Sequence, residues 1–179
     1  MNRHDIVFIG QLGVGTIVPF GKDPFVEQGS PVLFAPMAAS CLGKKIAALT
    51  KIAPGEESLL EPLKAAGVEL FVGTGETARY RVVFETANVD QRKVLLNRKA
   101  DSFALSDVPP LEPCLVHLCC IGDGPFQLEL MRLLKSAGFR VSVDMQGFVG
   151  MLFGRDSHLG GQEPAQIDDS SSNGSDENT

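Results

Sequence analysis

Apolar runs at residues 6–9, 45–52, 68–72, 115–120 and 141–143 alternate with helix-type segments at 35–42, 54–66 and 125–136. Short, continuously apolar runs are the mark of strands buried on both faces. Helices placed between such strands return the chain across the sheet, so the order predicts an α/β domain with a mostly parallel sheet. Glycines close the helical segments at Gly43, Gly67 and Gly138, where a left-handed residue ends a helix without strain. With 179 residues, 44% of them hydrophobic, the chain can bury one substantial core.

Two parts do not fit that sheet. Residues 16–20 and 32–34 read as short β pieces on either side of the turn chemistry of "GKDPFVEQGS". Residues 77–86 and 93–98 are β-type around "NVDQR" and suggest a hairpin. These pieces are expected to form a second, small sheet beside the core. From residue 154 the composition turns to Ser, Asp, Gly and Asn, and 154–179 is expected to be a disordered tail.

Charge narrows the partners. The tail carries Asp156, Glu163, Asp168, Asp169, Asp176 and Glu177 against Arg155, so most of the net charge of −6 sits there. The remainder is close to neutral and offers no polyphosphate-binding surface, which argues against nucleic acid. Cys41, Cys114, Cys119 and Cys120 lack metal-type spacing and read as reduced thiols. No leader or membrane-length apolar run is seen, so a cytoplasmic protein that does not enter membranes is expected.

The stretch "HDIVFIGQLGVGT" places Gly10, Gly13 and Gly15 after the first strand. A dinucleotide loop needs G-x-G-x-x-G opening a helix. Here the order is G-x-x-G-x-G, and "TIVPFG" follows, β-branched and bearing a proline. No helix N-terminus faces an anion, and the phosphate-loop reading fails. The glycines fit a strand that runs into a second β piece with close backbone approach.

The segment "GSPVLFAPMAASCLGKKIAALTKIAPGEESLLEPLKAAGVEL", with Gly29-Ser30, Leu42-Gly43 and Gly67-Val68, resembles the N-terminal signature of ribokinase-like (pfkB family) carbohydrate kinases. "ETARYRVVFE" and "RKVLLNRKADSF" are similar to that family's β segments. "LVHLCCIGDGPFQLELMRLLKSAGFRVSVDMQGF" is similar to its next strand–helix–strand, and the Asp144-to-Gly147 close resembles the branch that includes inositol-type kinases. The resemblance covers residues 5–150 or so. It implies a three-layer α/β core with a small β lid over the substrate, residues 1–153 forming that unit. It further implies ATP and Mg²⁺ as donor and metal, and a sugar or polyol as acceptor. Gln11, Gly15, Gly29 and Ser30 would line the acceptor pocket, and the lid could serve as a homodimer interface.

The chain departs from the family pattern. The family's sugar-holding Asp falls on Gly15, the second Gly of its pair on Ser30, and its usual Asn on Phe34. Each change removes a polar reader. The family's Gly-Ala-Gly-Asp motif, which supplies the base and anion hole from a C-terminal half, has no counterpart here.

Asp123, in "IGDGP", could help form an anion hole or simply cap the helix after it. Asp144, at a strand's C-terminal end, suits a ligand or a turn. Arg79 and Arg81 could face a covered site or solvent. His117 reads as a hydrogen-bonded core histidine, while His4 and His158 lie in the termini. Three readings follow: a carbohydrate-kinase-like chain with little or no phosphoryl transfer of its own, a non-enzymatic binding or dimerising module, and a cut-short product.

Overall fold

The computed structural model describes residues 3–119 and 124–145. The expected tail at 154–179, Cys120, Asp123 and Gln146 lie outside them.

Among the described residues, one sheet is wholly parallel. It is built from β1 (Ile6–Gly10), β4 (Ile46–Ile52), β5 (Glu69–Thr74), β8 (Leu115–Cys119) and β9 (Arg140–Val143), in the order β5-β4-β1-β8-β9. Its central strand alternates between two cores, as a period of two requires. Phe8 of β1 joins Leu12, Val32, Leu33 and Leu63 on one side. Val7 and Ile9 join Val116, Leu118, Leu130 and Leu134 on the other. The first core lies under α1 (Pro31–Ser40) and α2 (Glu61–Ala65), the second under α3 (Gly124–Ser136). The expected three-layer α/β architecture is present.

The second sheet is present too. It comprises β2 (Gly13–Val18), β3 (Phe25–Gln28), β6 (Ala78–Phe84) and β7 (Arg92–Arg98), in the order β3-β2-β6-β7. Here β2 and β6 run parallel, flanked by antiparallel β3 and β7. Strand β1 leads into β2 through Gln11 and Leu12 alone, both buried.

Three local expectations need correction. Residues 32–34 are not β but the first turns of α1, which starts at Pro31. Pro31 pre-sets the helical φ just after extended Ser30, and this outweighs the β preference of Val32. The strand lies earlier, at Phe25–Gln28, inside the stretch read as turn. Only Gly21, with φ +66°, is forced left-handed there, and Phe25 and Val26 pair with β2. Residues 54–66 form no continuous helix: a 3-10 turn at Glu57–Leu60 precedes the single turn of α2, because Gly55 is left-handed and Pro62 removes a donor.

The loop after β7 is pinned back onto the large sheet by Lys51. Its ammonium is 2.9 Å from Asp107 Oδ2, donates to Ser102 O at 2.9 Å and lies 5.4 Å from the Phe103 ring centre. No helix among the described residues is long and apolar enough to cross a membrane.

Candidate functional site

The C-terminal edge of a parallel sheet is where open α/β folds bind ligands. Here that edge carries the β1–β2 link, the start of the small sheet and the N-terminus of α1. The three glycines of the first motif take separate parts. A Cβ on Gly10 would stand 2.4 Å from Cys119 O, so Gly10 lets β1 and β8 close at their ends. A Cβ on Gly13 would stand 3.0 Å from Tyr80 Cε1, and one on Gly15 only 2.3 Å from Tyr80 Cε2. Gly13 and Gly15 thus form the seat of the Tyr80 ring.

Tyr80 reaches across β2 and donates its hydroxyl to Gly29 O at 3.0 Å. The Gly29 amide in turn donates to Gly13 O at 3.0 Å. Burial raises the Tyr80 phenol above its ordinary pKa of 10.0, and the negative charge of Glu27 raises it further. The half-exposed Phe34, on α1, flanks the same Gly29.

Gly15, Gly29 and Ser30 therefore come together, with Gln11 in the link beside them. Gln11 is buried and its amide Nε2 lies 3.5 Å from Asp101 O, a contact that ties the link to the loop after β7. Ser30 caps α1 through its backbone: its carbonyl accepts from the amides of Leu33 and Phe34, at 3.0 and 3.2 Å. Its side-chain hydroxyl is buried and makes no hydrogen bond among the described residues. Asp144 stands apart, just beyond β9, with β8 between its strand and β1. Its amide donates to Leu118 O at 2.9 Å and its charge acts on His117.

The arginines do not face this seat. Side chains alternate along β6, so with Tyr80 on the glycine face Arg79 and Arg81 turn to the other. Arg79 pairs with Glu56, and Arg81 is exposed. His117 is the expected hydrogen-bonded core histidine, its Nδ1 2.8 Å from Ser142 Oγ and its ring edge-on to Phe8. His4 is buried despite its terminal position, its Nε2 2.9 Å from Glu69 Oε2. Among the described residues, no group of three or more His, Cys, Asp or Glu could hold a metal ion.

Tyr80, Glu27 and the contact of Phe34 with Gly29 were not singled out from sequence. A partial signal existed: Tyr80 is the chain's one tyrosine and sits at the centre of an alternating β stretch.

No protein-family model matches the chain, and no curated protein does. Solved structures do. A pyrophosphate-dependent kinase in the ribokinase family, in a sulfate complex, superposes with a TM-score of 0.71 and 28% identity, covering 80% of this chain and 51% of that one. A pyrophosphate-dependent kinase of that family, complexed with a pyrophosphate analog and myo-inositol, gives 0.67 and 26%, covering 80% and 50%. An uncharacterized sugar kinase from Pyrococcus horikoshii shares the fold, at 0.62 and 20%, covering 86% and 59%. The chain spans about half the length of the ribokinase-family structures it matches. The described residues carry a ribokinase-like fold, and the proteins this chain resembles are kinases of the ribokinase family.

Proposed function

We propose that this chain is the acceptor-binding part of a carbohydrate-kinase-like protein, taking up a sugar or cyclic polyol between the small sheet and the first turn of α1. Residues 1–153 form the working unit in this reading, and 154–179 an acidic appendage. The observation that carries it is the seat itself. At the ligand-binding edge of the large sheet Gly13 and Gly15 seat the Tyr80 ring, whose hydroxyl is held by Gly29, and the half-exposed Phe34 flanks Gly29 beside it. Similarity to a kinase complexed with myo-inositol supports a cyclic polyol as the ligand class.

The residues divide the work simply. Gln11 holds the link between the sheets, Gly29 holds the Tyr80 hydroxyl, and the small sheet shields the bound ligand from water. Asp144, two strands away, is assigned no contact with the ligand.

The resemblance implies ATP with Mg²⁺, and two similar structures are of pyrophosphate-dependent kinases. Either donor would supply the phosphoryl group to a ligand hydroxyl. The described residues do not fit a metal-assisted donor site, since they hold no suitable cluster of ligating side chains. No transfer step is assigned to them, and the 179-residue chain is expected to bind acceptor without efficient turnover.

The test is to incubate the chain with Mg²⁺ and ATP or pyrophosphate, and separately with myo-inositol, ribose and fructose. Binding is followed by calorimetry and product by phosphorus NMR. Saturable binding without product is expected. A chain that binds none of these compounds would remove the acceptor reading. Turnover in the ordinary kinase range of about 1–100 s⁻¹ would overturn the expected lack of transfer but keep the acceptor reading.

A second reading rests on a different observation. Phe25, Ile17, Val82 and Val94 form one apolar row across the small sheet. Phe25 is 48% and Val94 38% exposed, and Leu96 in the next row 59%. A second copy of the chain would cover that face and make the protein a dimeric binding module. Sedimentation velocity decides: a single monomeric species at all loading concentrations excludes it.

A further inference from the structure

We propose that Glu27 is the carboxylate that receives the ligand's hydroxyls at this site, and that the ligand is therefore uncharged; this rests on the acceptor reading above. Gly15 pairs with Glu27 on one side and with Tyr80 on the other. Paired residues of neighbouring strands share a face, so the three form one row across the small sheet. The middle position has no side chain. The Tyr80 ring lies over that position, so the row presents a carboxylate beside the face of an aromatic ring.

Several other carboxylates are already engaged. Glu56 is paired with Arg79, Glu76 with Arg98, Asp107 with Lys51 and Glu69 with His4. Asp101 accepts from the Glu76 amide at 3.1 Å. Glu27 is exposed and has neither a hydrogen-bond nor an ion-pair partner among the described residues. Its charge nevertheless reaches the Tyr80 phenol. A second unpartnered polar group, this one buried, is the Ser30 hydroxyl, 4% exposed as a residue and one residue beyond Gly29.

The chemistry these groups can perform is specific. A carboxylate accepts two hydroxyl donors at once, and the Tyr80 oxygen, already donating to Gly29 O, keeps lone pairs to accept another. The ring offers its face to the C–H side of a saturated ring. A carboxylate with no cation in its row repels phosphate. The carboxylate and the ring face together therefore select neutral polyhydroxy compounds and reject their phosphorylated forms.

Tyr80 makes the experiment direct, because the chain has one tyrosine and no tryptophan. Its emission reports this site and no other. The purified chain is titrated with myo-inositol, ribose and ribose 5-phosphate, with calorimetry alongside, and Glu27→Gln is compared at equal unfolding midpoint. The wild-type chain should bind myo-inositol or ribose and not ribose 5-phosphate. Loss of hydrogen bonds to a charged group predicts a Kd about 10- to 100-fold higher in Glu27→Gln, with Glu27→Asp between. If Glu27→Gln binds as well as wild type, the role of Glu27 fails while the acceptor reading stands. If the wild-type chain binds neither neutral compound, the acceptor reading fails and Glu27 with it. Tighter binding of ribose 5-phosphate than of ribose overturns the uncharged ligand class.

Discussion

The ring of Tyr80 occupies the space in which a side chain on Gly15 would begin. A Cβ at Gly15 would lie 2.3 Å from Tyr80 Cε2 and 2.8 Å from Cζ. Gly15→Ala therefore forces the ring off its seat and strains the bond from its hydroxyl to Gly29. Overpacking of this kind costs about 1–3 kcal/mol. Urea unfolding should show that loss, and binding of a polyol should fall with it. An unchanged midpoint would mean that the ring moves away freely.

Gly10→Ala should be worse. Its Cβ would meet Cys119 O at 2.4 Å and Cys119 Cβ at 2.7 Å. Those atoms belong to a paired strand, which cannot swing aside as a ring can. The loss should reach or exceed the upper end of about 1–3 kcal/mol. The two variants, compared by urea midpoint, should rank Gly10→Ala below Gly15→Ala.

Tyr80 should ionise late. Burial, then Glu27, raises its pKa above the ordinary 10.0. Just above pH 10.0 the unfolded chain has lost the phenolic proton and the folded chain has kept it. Stability from this group is thus complete below that pH and declines as pH rises toward the folded pKa. Tyrosinate absorbance reads the titration of this residue alone. Glu27→Gln should move it downward, though not fully to the ordinary value, because burial remains. No movement would separate the two residues.

His117 carries the opposite pH dependence. Burial lowers its pKa below the ordinary 6.5, with Asp144 working against the shift. As pH falls below 6.5 the unfolded chain binds the proton first, so stability is present above that pH and lost in acid. His117→Gln should flatten the slope of unfolding midpoint against pH from about 7 to 5. Asp144→Asn should steepen it by removing the counteracting charge. An unaltered slope in both would place the acid sensitivity elsewhere.

The large sheet was legible because β1, β4 and β8 are apolar on both faces, and such runs have few other places to go. The small sheet was legible as β pieces, but not in its pairing. Four residues such as Phe25–Gln28 carry too little pattern to stand out from the turn before them, and partners distant in sequence define the strand. The start of α1 depended on Pro31, whose effect on local conformation outweighs the character of Val32. Of the candidate site, Gly15, Gly29, Ser30 and Gln11 were expected through resemblance, and the fold brings them together. Glu27 and Tyr80 were not, because their meeting depends on which residues face Gly15 from two other strands. That register comes only from assembled sheets.

The two central strands of the small sheet each continue a strand of the large one. Gln11 and Leu12 join β1 to β2, and residues 75–77 join β5 to β6. Strand β4 separates β1 from β5, so these joints stand about 10 Å apart at their roots. Both are tied at the joint: Ala78 donates to Leu12 O at 3.1 Å, and Thr77 Oγ1 accepts from the Ala53 amide at 3.0 Å. With β3 entering α1 through Gly29 and Ser30, and the loop after β7 pinned by Lys51, the small sheet is held to the large one along its whole near end. Tyr80 and its glycines all lie at that anchored end, where the clamped backbone gives the ring a fixed base.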